Sequence, residues 1–437
     1  MVQEPVGQGR GAIASWCLYD WANSAFTTLV VTFIYNTYFS TSFVPDQEHG
    51  AALWSRGVAT SAVLIALLSP VLGAIADRGG RRRLFLALST WTCVAFTAAL
   101  AFVSPAQSHA ALTALVVFVI ANVAFEMGGV FYNAFLPELV PQEKIGRVSG
   151  YGWGIGYIGG LLAMVLALVA FVRPETPWFG ISTADGFQYR ATNLLVAAWF
   201  FVFSIPMLLF VRERTERTAC LDVRGALADL GHTFRALGAY REVMKFLAAR
   251  LVYNDGLVTI FAFGAIYAKV RFDMPMSEVV QFGIALNVAA GLGALAFGFV
   301  DDRIGGKRTV VVTLVALVAA TVLAVLAPSK TWLWIAGVLV GIFVGPNQSA
   351  SRSLMGRFVP ERHKGEFFGF FAFSGKITSF MGPLLLGVMT DAYGIRAGIG
   401  SVLVFFLVGG AILLTVNERL GIEAAHGPDV ISASAEA

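Results

Sequence analysis

Long apolar runs alternate with short charged segments along most of this 437-residue chain. Each run has about twenty residues, the length that an α-helix needs to cross roughly 30 Å of hydrocarbon. We predict one transmembrane helix for each run that is bounded by charge, glycine or proline: 14–43, 53–76, 84–103, 111–136, 150–172, 191–211, 244–268, 279–299, 309–327, 332–355, 366–389 and 397–416. The pattern therefore indicates an all-α membrane protein with twelve transmembrane helices, the first of which is long enough that it must tilt or kink.

The composition supports this prediction and excludes several kinds of protein. Hydrophobic residues make up 57% of the chain and charged residues 13%, whereas an average soluble domain has roughly 25% charged residues. Too little polar surface is left for a soluble enzyme, a disordered chain or a nucleic-acid-binding protein. Because all five histidines lie outside the apolar runs, we expect no metal site, and no motif indicates a cofactor or an enzyme activity.

The distribution of positive charge predicts the orientation. If both termini lie on the inner side of the membrane, 22 of the 31 Lys and Arg residues are on that side, against 7 outside or at outer helix ends. Membrane proteins keep an excess of Lys and Arg in their cytoplasmic loops. We therefore expect both termini in the cytoplasm.

The longest charged loop, 212–243, divides the chain, and we predict six-helix bundles at 14–211 and 244–416. Within the loop, an apolar residue recurs at every third or fourth position, at Val223, Leu227, Leu230, Phe234 and Leu237. This spacing places them on one face of a helix, which we expect to lie on the inner membrane surface. A helix that docks a partner protein is the alternative. The small, polar tail at 417–437 is predicted to be disordered.

The two halves of the chain resemble each other in sequence. Gly73–Arg83 reads GAIADRGGRRR and Gly298–Arg308 reads GFVDDRIGGKR, so that Gly-x-x-x-Asp-Arg-x-Gly recurs at an offset of 225 residues. A second pair of similar strings, at 140–151 and 359–370, recurs at an offset of 219. Two halves that repeat in the same orientation are typical of the major facilitator fold.

The repeated string closely resembles the major facilitator signature between the second and third helices. Further strings resemble a narrower group, the vacuole effluxer family and its bacterial members: YDWANSAF at 19–26, FYNAFLPEL at 131–139, GRVSGYGWGIGYIGG at 146–160, YNDG at 253–256, NQSASRS at 347–353 and GEFFGF at 365–370. The resemblance covers essentially the whole chain. It implies two pseudo-symmetric six-helix bundles in a bacterial inner membrane, and amino-acid export for the eukaryotic members, without indicating the cargo of a bacterial member.

We expect the repeated loops to act as conformational latches. In the first copy, Gly73 lets helices approach closely, and Asp77 accepts from backbone N–H groups at the N-terminus of a neighbouring helix. The second copy has Gly306 where the first has Arg81, so we expect a weaker latch there. An ordinary positive-inside loop would explain the arginines, but not the recurring Gly–Asp spacing. The predicted latch residues are Gly73, Asp77, Arg78, Gly80, Arg81, Gly298, Asp302, Arg303 and Gly305.

Small residues recur at every fourth position on the fifth and eighth helices. These residues are Gly152, Gly156 and Gly160 on the fifth helix and Ala290, Ala294 and Gly298 on the eighth. Because small side chains permit close backbone contact in membranes, we expect these two helices to meet between the bundles.

In the major facilitator arrangement, the first, fourth, seventh and tenth helices line a central cavity, and here they carry most of the intramembrane polar residues. We predict a cavity for substrate and coupling protons that is lined by Asp20, Asn23, Glu126, Asn133, Asn254, Asp255, Asn347 and Gln348. The amides suit a substrate with its own donors and acceptors, such as an amino-acid zwitterion. Hydrogen bonds between helices would also explain them.

Three of the cavity residues are carboxylates, and a charge in the hydrocarbon core costs at least ~2.5–3.5 kcal/mol. Glu126 and Asp255 are the acids placed nearest to mid-membrane, which favours them as a pair of coupling-proton sites. The alternative for these acids is an ion pair at an inner gate, and that interpretation is favoured for Asp20. The candidate gate cations are Arg250, Arg352 and Lys376.

Together these features predict a secondary transporter that moves a small polar solute by alternating access. We expect it to be proton-coupled and to work as a monomer in the lipid bilayer. A non-transporting receptor or scaffold built on the same fold is the alternative. Such a receptor would gain nothing from two repeated latches and a polar stripe on each cavity helix.

Cysteine accessibility tests the predicted orientation. In a background without the three native cysteines, single cysteines at 78–83 or 212–243 should react with a membrane-impermeant maleimide only from the cytoplasmic side. Cysteines near positions 180 and 391 should react only from outside. Labelling of 212–243 from outside would overturn the orientation, and with it the assignment of the cavity.

Overall fold

The computed structural model describes residues 8–214, 222–236 and 238–427, and these residues form a bundle of helices without any strand. The α-helices are α1 (Arg10–Ala25), α2 (Tyr35–Ser42), α3 (Gln47–Gly79), α4 (Arg82–Leu100), α5 (Ala110–Ala134), α6 (Leu136–Leu139), α7 (Ile145–Ala167), α8 (Phe187–Phe210), α9 (Val223–Ala236), α10 (Arg241–Phe272), α11 (Met276–Ile304), α12 (Gly306–Leu326), α13 (Lys330–Phe358), α14 (Lys364–Lys376), α15 (Met381–Tyr393), α16 (Ile395–Leu414) and α17 (Glu418–His426). The predicted all-α class is therefore confirmed.

Eleven helical segments of the described chain are long and apolar enough to cross a membrane, and they match the predicted runs from 53–76 onwards. The first predicted run is divided instead. Helix α1, a π-helix at Phe26–Phe33 and α2 follow one another as segments of 16, 8 and 8 residues. The extra length of this run is thus accommodated by a change of helix type, which is often found at functional sites.

A second interruption divides the segment Lys364–Tyr393 near its middle. Helix α14 ends at Lys376 and α15 begins at Met381, with turns between them. Pro383 accounts for the break, because it has no N–H to donate and its ring clashes with the carbonyl four residues earlier. Four residues in the middle of an apolar segment therefore lie outside regular helix.

Two helix pairs join the halves at the end of the bundle that holds both signature loops, which we call the latch end. Helix α3 packs against α14, and α7 packs against α11. A Cβ atom on Gly73 would clash with the Gly365 carbonyl oxygen. A Cβ atom on Gly298 would lie 3.0 Å from the Gly146 carbonyl oxygen. Gly73 corresponds to Gly298 at the offset of 225 residues, and Gly146 corresponds to Gly365 at the offset of 219. The two contacts are therefore pseudo-symmetric.

The glycines of α7 serve two different contacts. A Cβ on Gly150 would lie 2.5 Å from the Ala294 carbonyl oxygen on α11, so the expected contact between the fifth and eighth helices is present. A Cβ on Gly152 would instead lie 2.5 Å from a carboxylate oxygen of Asp20. The glycines that were expected to face α11 therefore face α1: Gly152, Gly156 and Gly160.

Both ends of the described chain lie at the latch end. The Gln8 backbone N–H donates to the Leu139 carbonyl oxygen at 3.0 Å, and a ring nitrogen of His426 lies 2.8 Å from the Gln142 amide nitrogen. Since α17 occupies Glu418–His426, the prediction of disorder is wrong for this part of the tail. Residues 428–437 lie outside the described residues.

Helix α9 forms within the predicted linker and binds the first signature loop. The Asp222 carboxylate accepts from the Gly225 N–H at 2.9 Å and pairs with Arg78 at 2.9 Å, and these interactions lower the pKa of the carboxyl group. Asp229 also pairs with Arg78, at 2.5 Å. In the predicted apolar stripe, Leu230 is buried, Val223 and Leu227 are about half exposed, and the Phe234 side chain and Leu237 lie outside the described residues.

Candidate functional site

The first signature loop binds the N-terminus of a helix from the other half. The Asp77 carboxylate accepts from the backbone N–H groups of Gly365 and Glu366, each at 2.9 Å. Helix α14 begins at Lys364, so these N–H groups have no partner within their own helix. The helix dipole also stabilises a carboxylate at this position. The contact therefore ties the two halves together at the latch end.

A buried guanidinium supports this contact. Arg82 is 1% exposed, and it pairs with Glu138 at 2.6 Å and with Asp77 at 3.5 Å. Lys364, from the other half, also pairs with Glu138, at 3.1 Å. The predicted site residues include none of Arg82, Glu138 and Lys364. The sequence shows that these charges lie near the ends of predicted helices, but it does not show which of them form ion pairs.

The second signature loop makes the corresponding contact with α7. The Asp302 carboxylate accepts from the Arg147 backbone N–H at 3.2 Å and also pairs with the Arg147 side chain. Arg357 pairs with Asp301 at 2.7 Å and lies 3.8 Å from Asp302. A Cβ on Gly306 would lie 2.8 Å from the Arg357 guanidinium. Gly306 thus leaves room for the Arg357 guanidinium of α13. This contact argues against the expectation that Gly306 weakens the second latch.

The remaining predicted latch residues have different surroundings. Gly80 and Gly305 have φ angles of 57° and 92° at the ends of α3 and α11, a left-handed conformation that glycine adopts without strain. Arg78 binds the linker helix rather than the other half. Arg303 is exposed.

Two further carboxylates cap helices at the latch end, one in each half. Glu213 accepts from the backbone N–H groups of Arg82 and Arg83 at 2.7 and 3.2 Å, at the start of α4. Glu418 accepts from those of Gly306 and Lys307 at 2.9 and 3.2 Å, at the start of α12. Each cap offsets the unfavourable placement of basic residues at a helix N-terminus. The sequence pattern did not indicate either contact.

Arg352 on α13 joins the two halves. Its guanidinium donates to Asp20 at 2.9 Å, to the Ser149 hydroxyl and carbonyl oxygens at 2.9 and 2.7 Å, and to Asn133 at 3.4 Å. It also stacks 4.7 Å from the Trp16 ring centroid. Among the three candidate cations for Asp20, Arg352 is thus the one that binds it. This network joins the two halves through a largely buried ion pair.

A second bridge between the halves is more accessible to water. Glu126 on α5 pairs with Lys376 on α14 at 2.6 Å, and their side chains are 23% and 32% exposed. Arg250 lies on α10 and donates to the Phe371 carbonyl oxygen at 2.6 Å and to the Ser374 hydroxyl at 2.9 Å. No carboxylate of the described residues lies within 4.0 Å of Arg250. This guanidinium therefore retains the capacity to bind an anion.

Asn254 contacts the end of α14, and Asp255 contacts the turns that follow it. Asn254 donates to the Gly375 carbonyl oxygen at 3.2 Å, and one oxygen of the Asp255 carboxylate lies 3.3 Å from the Thr378 hydroxyl. The structure does not bring Glu126 and Asp255 together as a pair. They instead contact different residues of the segment Lys364–Tyr393.

The other predicted cavity residues differ in their surroundings. Asn347 does not line a cavity, because it is fully buried and donates to Thr313 of α12 at 2.9 Å. Its amide was a cavity candidate because the sequence does not show which face of α13 turns inward. Asn23 is partly exposed and donates to Asp20 at 3.4 Å. Gln348 is partly exposed.

These contacts can hold the latch end closed and can be broken reversibly. The polar contacts are hydrogen bonds and ion pairs, and apolar side chains from both halves pack around them in one continuous core. Within the described residues, no group of three His, Cys, Asp or Glu side chains could hold a metal ion.

Comparisons with known proteins identify relatives over most of the chain. Residues 42–426 match a family model described as vacuole effluxer Atg22 like. An MFS-type transporter of Bacillus subtilis, YxiO, described as uncharacterized, is 31% identical and the alignment covers 93% of this chain and 94% of that protein. Autophagy-related protein 22-1 of Penicillium rubens is 26% identical, over 63% of this chain and 50% of that protein.

Solved structures of transporters share the fold. A bacterial homologue of the iron transporter ferroportin, in an outward-facing state, superposes with a TM-score of 0.69 at 14% identity, covering 92% of this chain and 98% of that one. The Escherichia coli fucose:proton symporter FucP superposes with a TM-score of 0.70 at 14% identity, covering 93% and 98%. At such identities the likeness shows the major facilitator fold.

Replacing Asp77 with asparagine tests the first latch. Asp77→Asn removes the charge and one acceptor oxygen from the start of α14, so we expect a shift towards the state that is open at the latch end. A lost coupling of ~1–3 kcal/mol changes the ratio of states by about 5- to 150-fold. Distances between spin labels across the latch end measure this ratio. Asp391→Asn, at an exposed acid, is the control, and equal distance distributions in Asp77→Asn and wild type would refute the latch.

Proposed function

This chain belongs to the vacuole effluxer Atg22-like family of major facilitator transporters, and from that membership we propose that it moves a small polar solute across its membrane by alternating access. The observation that carries the proposal is the pair of pseudo-symmetric contacts at the latch end, Asp77 with α14 and Asp302 with α7. Both contacts join a loop of one half to the start of a helix in the other, an arrangement that can form and break as the halves rotate about their interface.

The proposed transporter has twelve transmembrane helices, with both termini in the cytoplasm, and works as a monomer. Residues 10–42 would supply the twelfth span, with the π-helix Phe26–Phe33 inside it. Two observations support the orientation: both described chain ends lie at the latch end, and so do the Arg-rich signature loops. On this proposal the latch end faces the cytoplasm, and the structure is an outward-facing state like that of the ferroportin homologue.

The substrate that we propose is an amino acid, as the resemblance to the eukaryotic effluxers implies. An amino-acid zwitterion needs an anionic and a cationic partner. Arg250 has no carboxylate within 4.0 Å among the described residues, and Glu126 is partly exposed. The partly exposed amides Asn23 and Gln348 could add hydrogen bonds.

Proton coupling is proposed to act through Glu126. Its ion pair with Lys376 is partly exposed and joins the two halves, so a proton can reach the carboxylate and would break the bridge. Loss of the pair would free α14 from α5 and favour separation of the halves. Asp255, the other acid expected to carry a proton, is 1% exposed and is less accessible to exchange.

Uptake into proteoliposomes tests the proposed function. Purified protein reconstituted into liposomes should accumulate at least one radiolabelled amino acid when a pH gradient is imposed, and protein-free liposomes should not. The same vesicles should exchange internal unlabelled substrate for external labelled substrate. Saturable binding of an amino acid without any uptake or exchange would favour the receptor alternative.

Replacing Glu126 tests the proton proposal. In Glu126→Gln the side chain keeps its shape but cannot exchange a proton, so accumulation driven by a pH gradient should be abolished. Counterflow exchange should survive, because it needs no net proton movement. Glu143→Gln, at an exposed glutamate, is the matched control and should accumulate substrate like wild type. If Glu126→Gln still concentrates substrate in response to a pH gradient, Glu126 is a gate residue rather than the proton carrier.

A further inference from the structure

The segment between α14 and α15 interrupts the regular helical hydrogen bonding of the backbone, although the carbonyl oxygens of Thr378 and Phe380 still accept from Met381 and Leu384. Residues 377–380 lie near the middle of a segment long enough to span a membrane. Pro383 cannot donate to the Ser379 carbonyl oxygen four residues before it. Carbonyl groups freed at such interruptions coordinate cations in transporters whose helices are broken at mid-membrane.

Two side-chain oxygens without partners face this segment from α10. Asp255 is 1% exposed, and one of its carboxylate oxygens has no hydrogen-bond partner. Thr259 is 0% exposed, and its hydroxyl oxygen likewise has no partner. The two residues are four positions apart and therefore lie on one face of the helix. A Cβ on Gly382 would clash with the Thr259 hydroxyl, so this hydroxyl contacts the start of α15.

The hydrogen bonds around Thr378 leave an excess of acceptor oxygens. The Thr378 hydroxyl lies 3.1 Å from the Leu251 carbonyl oxygen and 3.3 Å from Asp255. A hydroxyl carries one proton, so it donates to one of these acceptors at a time. Asp255 and Thr259 add two buried side-chain oxygens that have no hydrogen-bond partner. A bound cation would satisfy several of them together.

No positive side chain of the described residues neutralises Asp255. Arg250 is engaged with the Phe371 carbonyl and Ser374, and Lys376 pairs with Glu126. Neither lies within 4.0 Å of the Asp255 carboxylate. An uncompensated carboxylate at this depth is costly, and that cost favours any ligand that supplies one positive charge.

We propose that the side-chain oxygens of Asp255, Thr259 and Thr378 bind one sodium ion between α10 and the interrupted segment. The ligands are all hard oxygen atoms, without the nitrogen or sulfur that transition metals favour. A single carboxylate neutralises a monovalent ion, whereas calcium sites supply six to eight oxygens, often from several carboxylates. The glycine at position 382 lets α15 approach α10 closely enough to complete the site.

The site would add a second coupling ion to the proposed transport function. Only this coupling role rests on the proposed function, whereas sodium binding itself does not. Thr378 and Lys376 lie two residues apart, so sodium at Asp255 would fix the same end of α14 that carries the Glu126 bridge. Binding of sodium can be measured without any transport.

Thermal unfolding of the purified full-length protein tests the site. At constant pH and ionic strength, the unfolding temperature should rise with NaCl replacing choline chloride and should level off as the site fills. Asp255→Asn should lose this rise, and Thr259→Val should need a higher sodium concentration for it. Asp273→Asn is the matched control, because Asp273 follows the same helix, is 95% exposed and should leave the rise unchanged.

Several outcomes would overturn the proposal. An unfolding temperature that is equal in NaCl and choline chloride would overturn the sodium site. If the unfolding temperature varied with pH but not with sodium, the Asp255 carboxylate would carry a proton instead of binding sodium. A sodium-dependent rise that persists in both Asp255→Asn and Thr259→Val would place the ion elsewhere. If Asp255→Asn fails to fold, Thr259→Val alone decides. Amino-acid uptake without stabilisation by sodium would refute the sodium site and leave the transport proposal standing. Stabilisation by sodium without uptake would support the site and refute the transport proposal.

Discussion

Charged groups at the latch end lie in a bundle that offers them little water, so each must be matched by an opposite charge or by a backbone dipole. Asp77 meets this constraint through the free N–H groups at the start of α14. Because these donors belong to the other half, the match exists only while the halves touch. When the halves separate, the Asp77 carboxylate and the N–H groups at the start of α14 have no hydrogen-bond partner until water enters. The contact that stabilises closure therefore makes opening depend on hydration of the latch end.

The two halves meet the same constraint with opposite arrangements of charge. In the first, the guanidinium of Arg82 comes from the signature loop and meets Glu138 at the end of α5–α6. In the second, Arg357 occupies the position that corresponds to Glu138, and it meets Asp301 in α11. The repeat thus preserves the contact between a loop carboxylate and a helix start, while its supporting ion pair is reversed. A latch is therefore specified by the balance of charge in its surroundings and not by its signature string alone.

The apolar pattern predicted most of the fold, because the thickness of a bilayer fixes the length of each run. Together with the sequence repeat, it also located the signature loops. It could not predict which charges meet, since that depends on how each helix is rotated in the bundle. Asn347 turns towards α12 for this reason, and the caps made by Glu213 and Glu418 join residues far apart in sequence. The break before α15 was within reach of sequence reasoning, because Pro383 lies inside a predicted helix.

The three intramembrane carboxylates differ chiefly in what neutralises them. Asp20 is bound by a buried guanidinium that also contacts Ser149, Trp16 and Tyr132, so the charge of Asp20 is compensated in this structure. Glu126 has a partner that water can reach, and its compensation can be exchanged for a proton. Asp255 has no cationic partner among the described side chains, and on our proposal a bound sodium ion compensates its charge. A transporter that couples solute movement to ions needs charges of the second and third kinds, because only a charge without a permanent partner can change its state during a cycle. On the proposed mechanism Glu126 and Asp255 are such charges, and both contact the interrupted segment Lys364–Tyr393.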